Sequence, residues 1–149
     1  MNSTIRTPSY YSRAGLTIYH ADCRAVLPTF GDETFDFILT DPPYLVNYQG
    51  RWDGDREPIV GDDNDDWLHP TYAELWRLLK PDTFCVSFYG RPQCDRFVGV
   101  WKRLGFRLVS HLVFVKNVWG LGRFTRGKHR PRSCSPRAAR RDRRRASPT

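Results

Sequence analysis

The apolar positions fall into short blocks whose period changes along the chain. Leu16-Thr17-Ile18-Tyr19-His20 is rich in β-formers and reads as a strand. Asp22 follows it, and Cys23 to Leu27 fits one brief helix closed by Pro28. Phe35-Asp36-Phe37-Ile38-Leu39-Thr40 reads as a second strand, more continuous than alternating, as a strand covered on both faces should be. Residues 45–66 carry no period; Gly50, Gly54, Pro58, Gly61 and many acids make them a long loop, a kind of segment that usually serves function. From Trp67 the period becomes helical. Leu68, Tyr72, Leu75, Trp76 and Leu79 share one face, Asp65 or Asp66 can cap the start, and Lys80-Pro81 ends the helix. Thr83 to Tyr89 is a third strand, broken by Gly90. Pro92 to Leu104 is another helix, with Cys94, Phe97, Val98, Trp101 and Leu104 on one side and Gly105 as its stop. Phe106 to Val115 is a fourth strand.

This alternation of strand and helix predicts an α/β sheet with helices on both faces. Sites in such sheets lie beyond the carboxyl ends of the strands. Asp22 and Asp41 both stand at predicted strand ends, which marks them for attention.

Composition adds limits. A chain of 149 residues with 40% hydrophobic and 14% aromatic content can bury one core. No apolar run approaches the ~20 residues of a membrane span, and residues 1–12 lack a signal-peptide core, so a cytoplasmic protein with no membrane partner is expected. Cys23, Cys85, Cys94 and Cys134 form no C-x-x-C pair, so no metal is expected on them. The net charge of +8 lies wholly in residues 128–149; residues 1–127 balance to zero. That tail is dominated by Arg, Pro, Ser and Ala and has no apolar face, so it reads as disordered. It could bind phosphate backbones without sequence preference. The expected organisation is a flexible 1–14, a folded 15–127 and a basic tail from 128.

Asp41-Pro42-Pro43-Tyr44 carries the strongest chemical signal. A carboxylate at a strand end precedes two prolines, which fix the backbone and donate no N–H. A carboxylate oxygen and a backbone carbonyl can accept both hydrogens of an exocyclic amine, and the aromatic ring can stack on the base that bears it. A planar base amine is a poor nucleophile. Two acceptors that draw its nitrogen toward tetrahedral geometry improve it, by positioning and electrostatics. The competing reading of the four residues is a rigid strand-to-loop turn.

These residues, together with Ile18 to Cys23 and Phe35 to Thr40, resemble the DNA N6-adenine and N4-cytosine methyltransferases. The similarity is greatest to the permuted group, in which the catalytic tetrapeptide precedes the cofactor loop. Asn64-Asp65-Asp66-Trp67, Arg77-Leu78-Leu79-Lys80-Pro81 and Val113 to Asn117 also look like that family, so the resemblance covers roughly residues 15–129. It implies a Rossmann-like S-adenosylmethionine-dependent fold, incomplete at its C-terminal side, with a central, mostly parallel sheet flanked by helices. It implies a catalytic role for Asp41, Pro42, Pro43 and Tyr44. Tyr44 would stack on a base flipped from DNA, and Asp22 would bind the cofactor's adenine or ribose. Asp22 is equally suited to capping a helix. Asp at the first motif position favours adenine, and a restriction–modification setting is one source of such enzymes.

The glycine-rich cofactor loop of the family has no good counterpart. Gly120-Leu121-Gly122 opens no helix, so the chain is expected to be truncated, its Arg-rich tail to come from a shifted reading frame, and a homodimer or partner chain to supply the loop. Trp52 is a candidate substrate contact, whereas Trp76 and Trp101 fit helix cores. Asp62, Asp63, Asp65 and Asp66 read as a solvated loop and helix cap, lacking the ligand pattern of a calcium loop. The alternatives to an adenine methyltransferase are a non-catalytic DNA-binding remnant and an amine methyltransferase of RNA or protein.

Overall fold

The computed structural model describes residues 8–48, 58–113 and the backbone of 134–140. Its main sheet is built from β3 (Phe35–Thr40), β4 (Leu79–Ser87), β5 (Phe106–Val113) and β6 (Cys134–Arg140), in the order β3-β4-β6-β5. β3 and β4 are parallel, and β6 runs antiparallel to both its neighbours. α2 (Leu68–Leu78) links β3 to β4, and α3 (Cys94–Leu104) links β4 to β5.

The helices form where the apolar period puts them except at the end of α2: Leu79, expected on its apolar face, instead opens β4, which thus starts four residues before the expected Thr83. α2 buries Leu68, Thr71, Tyr72, Leu75 and Leu78. α3 buries Phe97, Val100 and Trp101 and ends on Gly105, whose φ of 95° is the left-handed cap that glycine adopts at little cost. The start of α2 departs from expectation: its N-cap is Trp67, with no side-chain cap bond. The backbone carbonyl of Asp65 instead accepts from Leu68 N.

Both helices pack on the same face of the sheet. Ile38, Cys85 and Phe106 join Leu68, Tyr72, Leu75, Phe97 and Trp101 in one core. The expected second layer of helices is not present among the described residues, and Phe37 and Leu39 are 53% and 63% exposed on the opposite face. Right-handed crossovers explain this, since two successive ones between parallel strands laid out in one direction put their helices on one side.

Two further expectations are corrected. The Leu16–His20 strand does not enter the main sheet. Its first part, β2 (Leu16–Ile18), pairs antiparallel with β1 (Tyr11–Arg13) through Ala14 and Gly15, whose φ values of 50° and 81° make a tight hairpin turn. Residues 11–13 are thus a strand rather than part of a flexible end. Within the tail expected to be disordered, residues 134–140 form β6. Its backbone lies between β4 and β5 and pairs with the facing edges of both. Pro136 has no N–H to give, and it sits beyond the end of the β4 ladder.

α1 (Cys23–Val26) and the 3-10 turn Leu27–Thr29 lie against α2. Arg77 of α2 fastens them: its guanidinium donates to the carbonyls of Phe30 and Leu27 and pairs with Asp32 and Glu74. No helix among the described residues is long and apolar enough to cross a membrane.

Phe97 is fully buried against Trp67, Tyr72, Tyr89 and Trp101. Phe97→Ala should cost about 3–5 kcal/mol in chemical denaturation. Burial pushes the Cys85 thiol from 9.0 up to about 12. Above pH 9.0 the unfolded chain releases this proton while the folded chain keeps it, so this contribution to stability should fall as pH climbs toward about 12. Melting temperatures across that range, with and without Cys85→Ala, check the sign.

Candidate active site

The site begins where β3 and β4 end side by side. Thr40 pairs with Ser87, and Phe88 N donates to the Thr40 carbonyl, carrying the parallel ladder one residue beyond the strands. Asp41 emerges exposed at this edge. Pro42, Pro43 and Tyr44 are half-buried, and Leu45 turns back into the core. The Tyr44 hydroxyl donates to Asp41 Oδ1 at 2.6 Å. The carboxylate and the ring expected to act together are therefore already in contact.

Two glycines make this arrangement possible. A Cβ on Gly90, just past β4, would stand 2.6 Å from the Tyr44 carbonyl oxygen and 3.1 Å from its Cβ. Only glycine lets the two strand ends approach this closely. Gly61 has a φ of 80°, and a Cβ there would meet the Trp67 ring at 3.0 Å. The Trp67 indole N–H donates to the carbonyls of Gly61 and Asn64, which ties the start of α2 to this turn.

Asp62 completes the site in a way the sequence did not announce. It is 3% exposed. Its carboxylate accepts from Val46 N at 3.2 Å and Tyr48 N at 2.7 Å, and its carbonyl accepts from Asn47 N at 3.1 Å. Leu45 and Asn47 alternate into left-handed backbone, with φ of 59° and 46°. Such alternation turns N–H groups inward as a nest for an anion, and here the anion is Asp62. A buried leucine in this conformation is strained. The Asp62 bonds and the burial of Leu45 hold it there.

Asp22 stands apart. It caps α1, accepting from Arg24 N at 2.8 Å, and its second oxygen pairs with the Arg24 guanidinium at 2.6 Å. The side-chain hydrogen bond from Arg24 holds its carboxyl below the usual carboxylate range. The structure realises its helix-capping reading, and places it past the end of the hairpin strand β2, after Tyr19, His20 and Ala21, rather than at the end of a strand of the main sheet. Trp52 and Gly120-Leu121-Gly122 lie outside the described residues.

No known family profile matches the chain. It is 50% identical over 95 residues to YubD of Escherichia coli (strain K12), a methylase by name, covering 64% of this chain and 40% of YubD. It is 33% identical over 75 residues to YhdJ of the same organism, a DNA adenine methyltransferase, covering 49% of this chain and 24% of YhdJ. The chain thus spans well under half the length of either. Among solved structures it resembles TTHA0409 of Thermus thermophilus, described as a DNA modification methylase. The TM-score is 0.58 at 20% identity, over 87% of this chain and 55% of that one. The fold is therefore the α/β fold of S-adenosylmethionine-dependent methyltransferases.

Gly90→Ala should push the Tyr44 backbone aside and lower stability by about 1–3 kcal/mol. Gly99→Ala, within α3 and with its nearest neighbour an arginine side-chain atom at 3.5 Å, should be neutral or stabilising. Paired thermal melts of the two variants read the difference.

Proposed function

We propose that this chain carries the amine-holding part of a DNA methyltransferase that acts on the N6 amine of adenine. One observation carries the reading: an exposed carboxylate at the end of a parallel strand, followed by Pro-Pro-Tyr, in a methyltransferase fold. The name of YhdJ and the Asp at the first motif position favour adenine over cytosine.

In this reading the base leaves the duplex, and its amine approaches Asp41. One amine hydrogen goes to the Asp41 carboxylate and the other to the Pro42 carbonyl, since neither proline competes with an N–H of its own. The Tyr44 hydroxyl gives up Asp41 Oδ1 as the amine takes it, and the freed ring stacks on the base. The exchange replaces one charge-assisted hydrogen bond with another, so its net cost is small. The nitrogen lone pair then points out of the base plane.

The methyl donor is S-adenosylmethionine, which TTHA0409 holds in one of its structures. When bound it supplies an electrophilic sulfonium methyl. Asp22 is the residue we assign to hold its adenine or ribose; the Arg24 pair on its carboxylate is exposed and can yield to a ligand hydroxyl or amine.

Incubation of the full chain with labelled S-adenosylmethionine and duplex DNA, followed by nucleoside mass spectrometry, tests the reading. N6-methyladenine is expected. Asp41→Ala should lower the rate at least ~100-fold. Tyr44→Phe keeps the ring and should stay within a few fold of wild type, whereas Tyr44→Ala should lose most activity, as removal of a base-stacking ring costs about 1–3 kcal/mol. Methylation of cytosine alone, or activity untouched by Asp41→Ala, would sink it.

A further inference from the structure

We infer that Asp62 is a positioning residue for the amine grip, an inference that rests on the function proposed above. Asp62 stands outside the Asp41–Tyr44 motif, and it fixes the chain that follows it. Its carboxylate takes the Val46 and Tyr48 amides, its carbonyl takes the Asn47 amide, and its own amide donates to the Ile59 carbonyl. It thereby ties together the chain on both sides of residues 49–57, which include Trp52.

The arrangement has a mechanical logic. Pro42 and Pro43 make the motif stiff but cannot anchor it through N–H groups. The clamp instead takes three successive amides just past the motif, those of Val46, Asn47 and Tyr48. Leu45 must hold a left-handed φ of 59° to bury its side chain, a conformation that costs roughly 1–3 kcal/mol unless it is held in place. With the clamp released, Leu45 can relax toward ordinary backbone. The Tyr44 carbonyl, packed against Gly90, and the ring beyond it would then shift. Asp62 thus sets the pose of Tyr44 and Asp41 from behind.

Asp62→Asn is the informative change, because the amide has nearly the same size. It retains one acceptor but turns an NH2 toward one of the two backbone amides. The test uses the full 15N-labelled chain and 2′-deoxyadenosine as probe, read by amide shifts, with hydrogen exchange and melting on the same samples. In wild type the probe should shift the Tyr44 to Tyr48 amides. In Asp62→Asn the Val46 and Tyr48 amides should exchange about tenfold faster or more, and the probe should bind about tenfold more weakly, as expected for one lost charge-assisted bond. The Ile38 and Cys85 amides should stay protected.

If Asp62→Asn binds the probe as wild type does, the positioning role is overturned. A variant unfolded throughout would overturn it too, by assigning Asp62 to the core. If wild type ignores the probe, or Asp41→Ala binds it equally well, the proposed function itself fails and the positioning role with it. The first two outcomes leave that function standing, so the two failures are distinguishable.

Discussion

The parallel pairing of Ile38 with Cys85 fixes everything at the site. Both side chains point into the core shared with α2 and α3, so the register of β3 on β4 cannot slip by one residue without exposing them. With that register set, Thr40 must lie beside Ser87, and the two chains leave the sheet together. The chain after Asp41 and the chain after Ser87 then run side by side, which brings Tyr44 against Gly90. The absence of a side chain at Gly90 lets the Tyr44 backbone rest there. The chemistry sits on loops, but the place where those loops begin is dictated by core packing.

The site has stiffness from two independent sources. One is covalent: two prolines in succession. The other is a set of hydrogen bonds made at a distance by Asp62 and Trp67, both from the chain just before or at the start of α2. The segment between the motif and α2 has few apolar residues to anchor it by packing. Hydrogen bonds from a buried carboxylate and an indole anchor it instead, and they pull the helix start and the motif toward one another.

Local features were legible in the sequence and distant ones were not. The helix faces of α2 and α3 followed from the 3.6-residue period, and the motif could be read because its four residues are contiguous. Asp62 could not be read, because its partners Val46 and Tyr48 lie 16 and 14 residues away. One acid in a run of several looks solvated until burial is known. Gly90 gave only a strand-breaking signal, since its partner Tyr44 comes from another strand end. The β1–β2 hairpin hid behind Ala14, which adopts a positive φ without the Asn or Gly that usually marks such a turn. Strand order, which decides whether helices cover one face or both, leaves no trace in the alternation of elements.

The bare face of β3 gives Asp41 a second consequence. Phe37 and Leu39 stand exposed on the outermost strand of the described sheet, in a short run of high β-propensity. Such a run is a template for strand addition and aggregation unless charges interrupt it. Asp36 stands immediately before it, paired with Lys80, and Asp41 immediately after. The carboxylate proposed to hold the amine is also one of the two charges that flank this run. Neutralising it for a mechanistic assay would strip one guard from a sticky edge, so the apparent activity of such a variant depends on how much of it stays dispersed.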